Sequence, residues 1–202
     1  MKIVKTICFV SILLTICSCG GEDAELVAEK DTLAVEELEP EVMAPKFEVS
    51  EEIVEAKPIL FIAESSSLMP TEIKTKMEAA FAEIMALMSV AKIEMTAPPM
   101  SISTLFSMVE MKCEFNAAIV AEIPEGMEVS GRIEKGETYA GKVLKTVHVG
   151  SLLKLKSTYD ALTDYIKGNG YEINGDSWEE FIDDPKNVSQ EELRINIYFP
   201  VK

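Results

Sequence analysis

The chemistry this sequence offers most plainly is a carboxylate among aromatic rings. Glu179 lies in the run Trp178-Glu179-Glu180-Phe181. Side chains alternate between the two faces of a strand, so Glu179 and Phe181 share one face while Trp178 points to the other. An acid beside rings suits a flat cation, because the rings contribute contact area and cation–π attraction and the acid contributes charge. The same acid in a pocket can activate a water, which would make Glu179 a general base toward small esters or amides. A solvated acid on a strand edge has the same local pattern, so these residues alone leave three readings open.

The remaining reactive side chains are few. Cys113 sits in an apolar-alternating strand and reads as a small buried hydrophobe. His148 is the one histidine. A Cys113–His148 nucleophile pair would draw on two distant segments and lacks a third, orienting group. His148 is also the one strong candidate for a haem axial ligand. No CxxC pattern is present, so no metal site and no cofactor are expected.

The N-terminus bounds where the protein works. Lys2 and Lys5 precede an apolar run from Ile7 to Ile16 that is too short to span a bilayer as a helix. The run ends Ile16-Cys17-Ser18-Cys19-Gly20, which resembles a bacterial lipobox with Cys19 as the lipidated residue. Residues 1–18 therefore read as a lipoprotein signal peptide. Residues 19–57 read as the lipidated cysteine and an acidic, disordered tether that holds the domain away from the bilayer. Residues 22–57 carry thirteen acids against three bases, with Pro40 and Pro45 breaking any long helix. The expected location is the cell envelope, as an outer-membrane lipoprotein on the periplasmic or surface face. The formal charge of −16 repels nucleic acid phosphates, so no nucleic acid partner is expected.

From Pro58 the texture becomes that of a folded domain. Ile59 to Ala63 reads as a strand. Met69-Pro70-Thr71-Glu72 reads as a helix start. Ile73, Met77, Ala80, Phe81, Ile84, Leu87 and Met88 then form one helical stripe. Strands follow over Met100–Phe106 and Met111–Ile119. Residues 139–149, 178–183 and 193–201 read as further strands. A helix with the stripe Leu155, Tyr159, Leu162, Tyr165 and Ile166 lies among them. Sliding the chain on itself puts Asn116 on Asn196 and matches element to element. The expected fold is α+β: a tandem repeat of two β-α-β-β units, about 58–123 and 139–202. The two units form a curved antiparallel sheet with two helices and a cavity between the halves that holds Glu179.

The second half resembles the GyrI-like family, the bacterial transcription-activator effector-binding domain. The carrying residues begin with Lys135-Gly136-Glu137-Thr138-Tyr139-Ala140, His148-Val149-Gly150, and Tyr159-Asp160-Ala161-Leu162 with Tyr165. They continue through Trp178-Glu179-Glu180-Phe181 and Asp184-Pro185, then Glu192-Leu193-Arg194 and Ile197-Tyr198-Phe199-Pro200-Val201. The resemblance implies an effector-binding domain over 58–202, with an aromatic-lined cavity. It also implies a buried glutamate that meets lipophilic cations or other small molecules. That glutamate position matches Glu179. Phe181, Tyr159 and Tyr198 are the further candidates for ligand contact. The family commonly has Tyr where this chain has Phe181, and an apolar residue where it has Glu180. No helix-turn-helix precedes residue 58, so a transcription-factor role is not expected. The reading is a membrane-tethered binder of a small hydrophobic or cationic molecule. A hydrolase using Glu179, a haem protein and a purely structural surface lipoprotein are the alternatives.

Overall fold

The structure, a computed structural model, describes residues 48–202. Cys19, the signal segment and most of the tether lie outside the described residues. The elements in chain order are β1 (Val49–Val54), β2 (Pro58–Ser67), α1 (Pro70–Ala91), β3 (Met100–Ser107), β4 (Lys112–Val120) and β5 (Glu134–Glu137). They continue with β6 (Gly141–Val149), α2 (Leu155–Gly168), β7 (Trp178–Phe181) and β8 (Arg194–Pro200).

The eight strands form one antiparallel sheet in the order β1-β6-β8-β7-β3-β4-β2-β5. Both helices pack on the same face. There α1 buries Ala80, Ile84 and Met88 against Leu60, Ile62, Phe115, Ala117 and Ile119. On the neighbouring half α2 buries Leu162 and Ile166 against Leu144, Ile195, Ile197 and Phe199. The alternate residues of the same strands build a third cluster on the helix-free face, with Ile59, Met100, Ala118, Val120, Val143, Trp178 and Tyr198. Central strands buried on both faces explain the near-continuous apolar runs at Ala117–Val120 and Ile197–Val201.

Local chemistry sets the helix ends. Pro70 opens α1, where its missing N–H costs nothing, and Glu72 meets the positive end of the helix dipole. Lys92 closes it at φ 55°, and the Ile93 N–H bonds the Met88 carbonyl at 2.9 Å. A 3-10 turn, Leu152–Lys154, leads into α2, and Ser151 Oγ accepts from the Leu153 N–H at its start.

The pairing register reveals a two-fold relation between the halves. Across the seam Met100 faces Glu180 and Trp178 faces Ile102, with Ser101 opposite Glu179 between them. Glu179 is thus the counterpart of Ser101. The outer pairs obey the same relation: Asn116 with Ile102 matches Asn196 with Glu180, and Ile62 with Ala117 matches Thr146 with Ile197.

Each repeat also has a leading strand that the sequence did not announce. β1 pairs with β6 of the second half, and β5 pairs with β2 of the first. The halves therefore exchange their first strands. The tether was expected to run to residue 57, but its last residues are structural. Val49-Ser50-Glu51-Glu52-Ile53-Val54 has the acidic look of the tether and no period-2 apolar pattern. Glu51 and Glu52 reach Lys142 and Lys145 of β6 at 3.4 and 3.5 Å. Charges of this kind also blunt an exposed sheet edge. The segment Glu134-Lys135-Gly136-Glu137 has no apolar side chain at all, yet it forms β5.

Candidate functional site

Glu179 sits at the middle of the sheet on the helix-bearing face, between the two helices. Its Oε1 accepts a hydrogen bond from the Tyr159 hydroxyl of α2 at 2.7 Å. Tyr159 in turn stands edge-on to Phe199, with ring centres 5.8 Å apart. From the other half, Phe81 of α1 meets Phe181 edge to face at 6.2 Å. The site thus joins one strand to rings from both helices. Phe81 was read as plain core stripe. Its helical spacing could not show that the stripe's edge reaches across the seam.

Electrostatics single out this acid. Among the described residues no Lys, Arg or His forms an ion pair with Glu179, whereas Asp183, Glu51, Glu52, Glu64 and Glu72 all have basic partners. Burial pushes the Glu179 carboxyl up from its ordinary value, and the Tyr159 hydrogen bond only partly opposes this. Burial and the neighbouring Glu179 charge push the Tyr159 phenol well above its own ordinary value, so it stays protonated and donates. Tyr159→Phe removes that donor. We expect a loss of about 1–3 kcal/mol at neutral pH, measured by denaturant unfolding, because the acid loses its polar partner.

Tyr198 is not part of this group. It was expected beside Glu179, but it is paired with Trp178 in the sheet and lies on the helix-free face. There its ring stacks on Trp178 at 4.8 Å with 11° between planes, and its hydroxyl donates to Glu180 at 2.8 Å. The Asn196 amide also donates to Glu180, at 3.2 Å. Glu180, the departure from the family's usual apolar residue, is therefore the partner of Tyr198. The acid that faces the helices is Glu179.

The cavity of about 520 Å³ at the seam is also on the helix-free face. Its lining draws on both halves and includes Phe61, Ile102, Asn116, Tyr139 and Trp178. The expectation of a space between the halves holds, but Glu179 is not in its wall. Adjacent strand residues point to opposite faces, and it is Trp178 that lines this space.

The other candidates are structural. His148 is buried, with Nδ1 2.8 Å from Thr158 Oγ1 and Nε2 3.2 Å from the Ser151 carbonyl. Nε2–H donates and Nδ1 accepts in the arrangement that satisfies both, which pins the start of α2 to β6. With both nitrogens engaged it presents none to a haem iron. Cys113 on β4 belongs to the α1 core, with three strands between it and His148 on β6, and burial pushes its thiol up. His148→Leu is expected to cost about 1–3 kcal/mol in stability, by chemical denaturation, and to leave ligand binding unchanged. Among the described residues no group of three or more His, Cys, Asp or Glu is placed to hold a metal. Nor is any described helix long and apolar enough to cross a membrane.

The halves are thus a duplicated strand-and-helix module with a half-buried acid between its helices. The sequence model of the GyrI-like small molecule binding domain matches residues 47–202, and the chain belongs to that family. Among solved structures it resembles the EcmrR C-terminal domain, with TM-score 0.62 and 16% identity over 78% of this chain and 98% of that one. It also resembles EcmrR in its complex with DNA, with TM-score 0.67 and 16% identity over 77% of this chain but 57% of that one. A third likeness is to a hydrolase encoded by lin2189 from Listeria innocua, with TM-score 0.56 and 13% identity over 79% of this chain and 94% of that one. No functionally curated protein matches the sequence.

Proposed function

We propose that this protein binds a small, partly hydrophobic cation between its two helices, with Glu179 as the counter-charge and Tyr159, Phe181 and Phe81 as the surrounding contacts. The observation that carries the reading is a half-buried carboxylate whose one polar side-chain partner among the described residues is a neutral phenol. A bound cation would supply the missing charge. The ligand enters by parting Phe81 from Phe181, a contact worth on the order of 1 kcal/mol beyond its area. We further propose that Cys19 anchors the chain to a membrane of the cell envelope through lipid. The acidic N-terminal stretch and the overall charge of −16 support a partner that is not nucleic acid.

The test compares tetraphenylphosphonium with tetraphenylborate, which match in shape and differ in sign. The cation should raise the thermal midpoint at pH 7.5 and the anion should not. Equal shifts, or none with either, would rule the reading out. A second reading rests on the same 2.7 Å pair: an acid with a raised pKa beside a protonated phenol can relay a proton during ester hydrolysis. Turnover of a small aryl ester that vanishes in both Glu179→Gln and Tyr159→Phe would favour it. For the anchor, the N-terminal peptide of the protein purified from membranes should carry acyl mass on Cys19, and Cys19→Ala should remove that mass.

A further inference from the structure

We propose that the tip of the β3–β4 hairpin inserts into the interface of a zwitterionic lipid bilayer. The proposal rests on the reading of Cys19 as a lipid anchor. Five large apolar residues crowd the tip in the open: Leu105, Phe106, Met108, Val109 and Met111 are 37, 65, 64, 96 and 57% exposed. Met69, at the entry to α1, is 61% exposed and adjoins them, because the neighbouring Leu68 N–H bonds the Met111 carbonyl at 3.2 Å. Single exposed apolar side chains are ordinary, whereas a contiguous patch marks a binding surface.

The second half supplies an internal control. Its β7–β8 connection occupies the position equivalent to this hairpin. There the exposed residues are polar or charged, among them Asp184, Lys186, Asn187, Glu191 and Glu192. The apolar residues of that connection turn inward: Val188 packs on the α2 core and Leu193 is 4% exposed. The fold therefore does not require an apolar tip. The local backbone does not favour one either. Met111 holds φ 53°, a region that suits Asn or Gly, and still presents a large apolar side chain. A register shift between Ser103 and Leu105 changes the course of the strand just before the tip.

The occupant follows from the rest of the chain. Residues 20–48 lie between the anchor and β1, a length that keeps an anchored domain beside a bilayer. The charges at and beside the tip lean acidic: Lys112 is shared between Glu114 at 2.8 Å and Glu110 of the tip at 3.9 Å, and Lys76 pairs with Glu72 at 2.9 Å. Such a border is not selective for anionic headgroups, and a net charge of −16 is repelled by them. Apolar insertion into a neutral surface remains.

The test uses residues 19–202 carrying Cys19→Ser, so that no lipid contributes, floated with phosphatidylethanolamine/phosphatidylcholine vesicles. The chain should float with the vesicles, and raised salt should not release it. The double variant Phe106→Ser/Val109→Ser, with its thermal midpoint unchanged, should lower the bound fraction about tenfold or more. Absence of flotation, or equal flotation of the variant, would overturn the proposal. So would a concentration-dependent dimer that the same variant disperses while no chain floats, which would make the tip a protein seam. The anchor reading fails separately, through a wild-type Cys19 that carries no acyl mass.

Discussion

Replacing Glu179 by Gln should weaken binding of a lipophilic cation by about 10- to 100-fold, the equivalent of losing one charge-assisted contact of roughly 1.5–3 kcal/mol. Binding of a neutral analogue should be nearly unchanged. The same substitution should stabilise the free protein. The folded-state pKa of Glu179 is raised above its ordinary value by burial. A group shifted in that direction supports the fold when protonated and loses that support as pH rises through the folded-state pKa. Above that folded-state pKa the wild type carries a buried charge with a single neutral partner, and Gln does not. We expect Glu179→Gln to raise the thermal midpoint by about 2–4 °C at pH 8, roughly 1 kcal/mol in a domain of this size. The gain should vanish near pH 4, where the wild-type acid is protonated in both states. Loss of binding together with gain of stability is the signature of a functional acid; a structural acid would lose stability on replacement.

The second large effect concerns the exchanged strand. A chain cut to begin at residue 58, where the apolar texture starts, should unfold at least about 10 °C below one that begins at residue 47, a deficit on the order of 3 kcal/mol. Removal of β1 strips a six-residue register from β6 and takes Val49 and Val54 from the apolar clusters on the two faces. It also leaves Thr146, which is 2% exposed and donates to the Glu48 carbonyl at 2.7 Å, without its acceptor. Each such loss is near 1 kcal/mol. The bared edge of β6 should also promote association, visible by light scattering, because an unpaired edge is a template for another strand. Equal midpoints for the two chains would show that β1 is a passive cover.

Both effects bear on what the sequence could show. The α+β class, the repeat and six of the eight strands were legible because their apolar residues recur with period 2, or run unbroken where both faces are buried. β1 and β5 were not. Their side chains are mostly charged or absent, and their place in the sheet comes from main-chain pairing with the opposite half, which leaves no local pattern. Glu179, Phe181 and Tyr159 were legible as a group, since strand parity joins the first two and the family resemblance supplies the third. The separation of Tyr198 from Glu179 was legible by parity. Once Tyr198 pairs with Trp178, it must lie on the face away from Glu179. Phe81 was invisible as a site residue, because its reach to Phe181 depends on how two helices from different repeats settle on one sheet.

The proton balance of cation binding tests Glu179 as the cation's partner. Titrating tetraphenylphosphonium in pairs of buffers that differ in ionisation enthalpy reports protons released per cation bound. Because binding favours the ionised carboxylate, wild-type protein should release a proton at pH values around the raised folded-state pKa of Glu179, with the release fading above it. Glu179→Gln should release none. Binding without proton release at any pH between 4.5 and 8, or release that survives in Glu179→Gln, would contradict the assignment of Glu179 as the cation's partner.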